Sequence, residues 1–330
     1  MKVALYTGKN PVGYSIVCMA EQLASRMEGA AIATSPGGKQ IQHADLVVNF
    51  VPEDTEVIRG QQRYTHYVRM IVFLTPNWEE YTEITRMTII GGALVDPFVV
   101  HSKYSYDLVA RFIREYLSPG KARKALGNLH CIDWGIEPEF SASNLADPIK
   151  WIVPYNRINQ QQKRVREHHD LSTTFTVAMA QRGKVVDTLF IVHHGLFDTS
   201  AMPQYDTYRW VDQPGNRDDY RSLLWDRGAF LCTSKYESFG IYYLELLCSG
   251  IVGVFQDEPW VRKLLPSYPL IHSRNNLVPS MLDVVDNYAA YRTLLTTEIV
   301  PYIRARYDLG KFATDLLKCN QLQNTQGGEA

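Results

Sequence analysis

The segment from Cys232 to Phe255, CTSKYESFGIYYLELLCSGIVGVF, sets two carboxylates, Glu237 and Glu245, eight residues apart with Phe239-Gly240 between them. Its pattern reads as a strand, a loop, a helix from about Ile241 to Ser249, and a strand over Ile251–Phe255. Glu237 then lies in the loop before the helix and Glu245 about two turns in, roughly 12 Å apart along the axis at 1.5 Å per residue. That spacing suits two sets of hydroxyls, such as those of a ribose and of a second sugar. The start of the helix offers unpaired N–H groups and a positive dipole end, which attract a pyrophosphate, and Gly240 lets a ligand come close. Other readings stand beside this one. Glu237 also suits a helix-start acid that complements the dipole, and Glu245 a solvated side chain. Set among Leu244, Leu246 and Leu247, however, Glu245 is expected to be buried near the sheet, where a carboxylate needs a polar partner.

The elements that must position these acids alternate between short β-type runs and longer helical patterns. Strands are expected at Lys2–Tyr6, Leu46–Phe50, Val68–Leu74, Phe98–His101 and Leu129–Asp133, with helices at Tyr14–Met27 and Tyr104–Leu117. After Asp147-Pro148 the rhythm restarts: strands at Lys150–Val153, Asp187–His193, Ala229–Ser234, Ile251–Phe255 and Tyr268–Ile271, with helices at Gln161–Gln181, Asp218–Trp225 and Leu277–Leu317. The reading is two α/β domains with doubly wound parallel sheets, 1–147 and 148–330, the terminal helices belonging to the second. Ligands of such sheets sit beyond the carboxyl ends of the strands, so the expected site is a cleft between two facing sheets. There is no internal repeat of 20–50 residues, which argues against solenoids and propellers.

Composition narrows the function classes. The 330 residues are 45% hydrophobic and 21% charged, which excludes disorder and fibres. A formal net charge of −1 excludes a histone-like protein, so any basic surface is local. The five cysteines, Cys18, Cys131, Cys232, Cys248 and Cys319, are odd in number and scattered, with no CxxC pair. This argues against a disulfide framework and a structural zinc site, and favours a cytoplasmic location. Met1–Lys9 breaks off too early for a signal-peptide core, and no run approaches the roughly 18 apolar residues of a membrane span.

The 232–255 segment resembles the retaining GT-B glycosyltransferases related to glycogen and sucrose synthases, whose signature is a glutamate, seven residues and a glutamate. Asp219–Ser234 resembles that family's approach to the glutamate loop, and Ser249-Gly250 its following turn. Val99-Val-His-Ser102 and His130–Phe140 resemble its strand-end serine and the element closing its first domain. The resemblance implies a GT-B fold, two Rossmann-like domains facing across a cleft, and transfer of a sugar from a nucleoside diphosphate with retention of configuration. By the same resemblance Glu245 binds the ribose, Glu237 binds a donor-sugar hydroxyl, and Phe239 and Gly240 present backbone amides, with Ser238 and Ile241 alongside. In Tyr155–Lys163, Arg157 and Lys163 resemble the basic pair that holds the diphosphate. With Arg164 and Arg166 following, that pair also reads as a solvated basic helix start; cations in a first turn oppose the dipole, however, which favours a ligand role. The implied catalytic set is Arg157, Lys163 and Glu237.

The chain departs from that family in its first domain. The usual Gly-Gly pair is replaced by separated glycines, Gly13 being the closer match, and a usual histidine by Thr75-Pro76-Asn77-Trp78. Thr75, Trp78 and Glu79 are acceptor-side candidates, although Trp78-Glu79-Glu80 also reads as the start of a surface helix. No Asp-x-Asp loop of the metal-gripping kind occurs in a convincing setting: Asp218-Asp219 is adjacent, and Asp54-Thr55-Glu56 lies in a turn. No metal or other cofactor is therefore expected. The pairs His168-His169 and His193-His194 point their neighbours apart and do not read as metal sites.

The acceptor is the least legible part. Tyr104–Lys124 carries a cationic face (Lys103, Arg111, Arg114, Lys121, Arg123 and Lys124 against Asp107 and Glu115) that suits anionic lipid, nucleic acid or plain solvation. The short first domain and the 20 tyrosines and six tryptophans resemble bacteriophage enzymes that glycosylate hydroxymethylated DNA bases. Arg59–Arg69 interleaves Arg59, Arg63, His66 and Arg69 with Tyr64 and Tyr67, as gripping an extruded base would need. The expectation is a nucleotide sugar as donor and such DNA as acceptor, with a glycan second and a lipid third. A catalytically silent sugar-nucleotide-binding module is the rival class.

Overall fold

The computed structural model describes residues 1–8, 14–62, 69–74, 82–136, 147–154, 164–192, 208–212, 217–237 and 239–326. They form two compact units, 1–137 with 306–330, and 138–305. The first unit contains a six-stranded sheet of β1 (Val3–Tyr6), β2 (Ala30–Ala33), β3 (Leu46–Asn49), β4 (Arg69–Leu74), β5 (Phe98–Val100) and β6 (Leu129–Cys131), in the order β2-β1-β3-β4-β5-β6. The second contains β7 (Asp147–Pro154), β8 (Asp187–Val192), β9 (Tyr208–Asp212), β10 (Arg227–Cys232), β11 (Val252–Gln256) and β12 (Ile271–His272), in the order β12-β11-β10-β7-β8-β9. All pairings within both sheets are parallel. Strands β1, β3, β5 and β10 are buried along their whole length, which is why they read as near-continuous apolar runs such as Val3-Ala-Leu-Tyr6.

Two edge strands depart from the sequence reading, β2 and β9. Strand β2 is Ala-Ala-Ile-Ala, with little β propensity and a partly exposed pattern, so nothing in its sequence marks it as a strand. The cationic Tyr104–Lys124 stretch covers helix Lys103–Tyr116, within a residue of the expected Tyr104–Leu117, and a second helix, Pro119–Gly127, that the sequence reading did not include. Leu117 and Ser118 are extended, because a proline disfavours helical geometry in the residue before it and then starts the next helix well. Ser102 caps the first of them, its side chain accepting a hydrogen bond from the Ser105 N–H. Among the described residues no helix is long and apolar enough to cross a membrane.

The expected boundary after residue 147 lies ten residues past the observed one, and the C-terminal helices do not all stay with the second unit. From Arg306 the chain rejoins the first unit, where helix Leu309–Gln326 packs Phe312 on the fully buried Trp134 with ring centroids 4.4 Å apart. Trp134 also meets Phe50 edge-on, the Ile136 N–H donates to the Tyr307 carbonyl at 2.7 Å, and Arg306 pairs with Asp133 at 3.0 Å. The close fit demands a glycine: a Cβ on Gly135 would stand 2.2 Å from the Leu309 Cα. Gly135→Ala is therefore expected to destabilise the first unit by at least about 2 kcal/mol, read from the urea midpoint. An unchanged midpoint would show that this junction carries no stability.

Candidate functional site at the carboxyl edge of the second sheet

The strand order of the second sheet reverses between β7 and β10. The chain runs outward from β7 to β8 and β9, then returns to β10 and continues the other way to β11 and β12. At such a switch point the loops after the two central strands diverge and leave a crevice, the usual ligand site of doubly wound sheets. The loop after β10 holds Glu237, and the segment after β7 holds Arg157 and Lys163.

The β10 loop is closely held. Its first residues, Thr233 and Ser234, are buried, as is the Phe239 side chain. The Thr233 hydroxyl lies 3.3 Å from Nδ1 of the fully buried His168 on helix Val165–Gln181. The Ser234 hydroxyl bonds the Tyr243 hydroxyl at 2.9 Å, and the Ser234 carbonyl accepts from the Trp260 indole N–H at 3.0 Å. Gly240 then opens helix Ile241–Cys248 with φ +77°, a left-handed conformation that side chains other than glycine rarely adopt. A Cβ there would also lie 2.7 Å from the Trp260 ring.

The helix turns Tyr243, Leu244, Leu246, Leu247 and Cys248 into the core. Glu245 falls on the remaining stripe with Ile241 and Tyr242, four and three residues earlier. It is half-buried there, correcting the expectation that its leucine neighbours bury it. The charge of each acid acts on a tyrosine of the first turn. Burial, then the Glu245 charge, holds the Tyr242 phenol well above its ordinary range; burial, then Cys232 and the Glu237 charge, does so for Tyr243. Glu237 and Glu245 thus flank the helix start, both only partly exposed.

At the start of helix Val165–Gln181 stands Arg164, which among the described residues is the one non-glycine with positive φ, +50°. Such a conformation costs on the order of 1–3 kcal/mol and persists only where its surroundings impose it. Glu258, from the turn after β11, pairs with Arg164 at 2.7 Å, while Glu167 reaches both Arg164, at 4.0 Å, and Arg274, at 3.1 Å. Arg164 is therefore tied to the turn after β11, two strands away from β7 in the sheet.

Of the residues expected at the site, Glu237, Phe239, Gly240, Ile241 and Glu245 are brought together here. Gly13, Thr75, Trp78, Glu79, Arg157, Lys163 and Ser238 lie outside the described residues, as do Arg63, Tyr64, His66, Tyr67 and the His193-His194 pair. Arg59 is not the phosphate-facing cation its sequence context predicts: it pairs with Glu56 at 2.6 Å and with the buried Asp96. Arg69 begins the central strand β4, at the amino edge of its sheet and away from the carboxyl ends where ligands gather. Asp54 accepts a 2.6 Å hydrogen bond from the Tyr6 hydroxyl. Among the described residues no three His, Cys, Asp or Glu side chains are grouped to hold a metal ion. The sequence reading missed Trp260, Ser234 and Tyr243; no local spacing relates them, and the one available signal was the glycine before the helix.

No family model matches the sequence, and no curated protein sequence matches it. Solved structures do. Anabaena HepE, solved with UDP and glucose, is 11% identical with a TM-score of 0.68, over 96% of this chain and 98% of that one. Sucrose-phosphate synthase from Thermosynechococcus elongatus is 13% identical with a TM-score of 0.63, over 100% of both chains. The lipopolysaccharide outer core galactosyltransferase WaaB is 12% identical with a TM-score of 0.58, over 98% of this chain and 100% of that one. These neighbours are GT-B glycosyltransferases, and the fold of this chain is GT-B.

His168 makes the loop's support sensitive to acid. Burial first, and the neighbouring His169 second, lower its pKa to about 3. The folded state keeps the ring neutral where the unfolded chain, with an ordinary pKa near 6.5, takes up a proton. This contribution is complete above about pH 6.5 and is lost as pH falls toward 3, by up to about 1.4 kcal/mol per pH unit. Unfolding free energies measured from pH 4 to 7 should therefore rise more steeply in the wild type than in His168→Gln; parallel slopes would remove the histidine from this account.

Proposed function

We propose that this chain is a glycosyltransferase that moves a sugar from a nucleoside diphosphate, with UDP favoured, to an acceptor hydroxyl with retention of configuration. The observation that carries this reading is the pair of partly exposed carboxylates on either side of a helix start, at the switch point of a parallel sheet. The likeness to HepE, solved with UDP-glucose, supports it in fold.

In this reading Glu245 accepts hydrogen bonds from the ribose diol, one turn from Tyr242, and Glu237 holds a hydroxyl of the donor sugar. Backbone N–H groups about Phe239, Gly240 and Ile241, at the positive end of the helix, face the donor. Arg157 and Lys163 stabilise the charge that grows on the departing diphosphate, the point at which preorganised charge lowers the barrier most. The bond from the anomeric carbon to the diphosphate breaks while a bond to the acceptor oxygen forms on the same face, and the acceptor proton passes to a diphosphate oxygen. No metal is invoked, since the cationic pair and the helix start meet the diphosphate charge.

For the acceptor we favour a hydroxymethylated base in DNA. With Arg59 engaged elsewhere, the support is the outer face of helices Lys103–Tyr116 and Pro119–Gly127, where Arg111, Arg114, Lys121, Arg123 and Lys124 are all exposed on a chain of net charge −1. Incubation with a panel of UDP-sugars and hydroxymethylated or plain DNA, read by mass, should show a hexose added to the modified DNA alone, less so as salt rises. Addition instead to a glycan or lipid would overturn the DNA acceptor while keeping the transferase. UDP binding without release of UDP from any sugar nucleotide would favour a silent binding module.

The donor reading has its own test. Glu245→Ala removes hydrogen bonds to a charged acceptor, worth about 1.5–3 kcal/mol, and should raise the UDP dissociation constant about 10- to 100-fold by calorimetry. Normal affinity would contradict the ribose role.

A further inference from the structure

Trp260 belongs to no expected site and lies in a different βα turn from the acids, yet it touches the acid-bearing loop at two points. It is the second residue of helix Pro259–Leu264, after β11, and is buried to 3% exposure. Its indole N–H donates to the Ser234 carbonyl at 3.0 Å, and its six-membered ring lies against Gly240 so closely that a Cβ there would be 2.7 Å away. Ser234 and Gly240 stand three residues before and three after Glu237. One rigid ring thus fixes both ends of the short span whose midpoint is Glu237.

We propose that Trp260 is a positioning residue that sets where the Glu237 carboxylate stands against the donor sugar. The claim rests on the transferase reading above and deepens it. The span has little other freedom. Phe239 is buried beside Gly240, and Tyr243 binds the Ser234 hydroxyl while its ring lies 5.7 Å from that of Trp260. The origin of the tryptophan is fixed as well: Pro259 sets the first helical residue, and Glu258 before it is held by Arg164. A carboxylate that binds a reacting sugar gains from being held in register, since a misplacement of about 1 Å can cost on the order of 100-fold in rate. A residue that supplied only packing would instead lower stability and nucleotide affinity together.

The test uses the full chain, UDP as the binding probe, and release of UDP from UDP-glucose, UDP-galactose and UDP-N-acetylglucosamine, with water or acceptor, as the turnover probe. Trp260→Phe keeps a ring against Gly240 and removes the N–H. It should lower kcat at least about tenfold while the UDP dissociation constant stays within about twofold, because UDP lacks the sugar that Glu237 holds. Tyr243→Phe, which keeps its ring and loses only the hydroxyl with its bonds to Ser234 and Cys232, should lower kcat about threefold with UDP affinity again unchanged. It serves where Trp260→Phe does not fold. If the folded variants keep wild-type kcat, or lose kcat and UDP affinity in proportion, the positioning role is overturned while the transferase stands. A wild-type chain that neither binds UDP nor releases it from these donors overturns the transferase reading, and this inference with it.

Discussion

A parallel strand can deliver a loop to a site only from its carboxyl end, and two neighbouring strands deliver diverging loops only where the order of the sheet reverses. In the second unit that reversal falls between β7 and β10. The β10 loop with Glu237 therefore leaves the sheet beside the carboxyl end of β7, although the paired residues Trp151 and Ala229 lie 78 positions apart in sequence. Beneath, β10 is buried along its whole length and β7 is buried over Trp151–Val153. What the loops add is chemistry: a glutamate before a helix start, a glutamate on its half-exposed stripe, and a glycine whose backbone no other residue adopts readily.

Around this crevice the turns are bound to one another rather than left as independent loops. Glu258 and Trp260, two residues apart at the start of helix Pro259–Leu264 after β11, reach in two directions, Glu258 to Arg164 and Trp260 to both ends of the acidic loop. His168 adds a link from helix Val165–Gln181 to Thr233. The left-handed Arg164 is strained on its own and is held by the charges facing it, a pattern common where local geometry serves a ligand. Preorganisation of this kind places the ordering cost in folding rather than in binding.

Much of the framework was legible because buried parallel strands and amphipathic helices leave periodic traces. Val3–Tyr6, Leu46–Asn49, Phe98–Val100, Arg227–Cys232 and helix Ile241–Cys248 all fall within a few residues of expectation. Glu237 and Glu245 were legible because their spacing is local to one loop and one helix. Strand β2 was not, since three alanines and one isoleucine on a sheet edge carry no alternation. The leucines beside Glu245 in sequence suggest burial, whereas exposure follows helical spacing, and its neighbours at three and four residues are Tyr242 and Ile241. Trp260, Tyr243 and Ser234 form their cluster through folding from three elements, and no single-sequence pattern marks a contact between a turn and the loop beside it.

The path of the chain through its two units has a further meaning. The second unit is one unbroken stretch, Pro138–Ala305, spliced into a first unit that is assembled from both flanks of it. During synthesis, which proceeds from the amino end, the inserted unit has all its strands before the host has its last helix. The half that begins first is thus completed last, when Phe312 arrives over Trp134 and the backbone at Leu309 settles against Gly135.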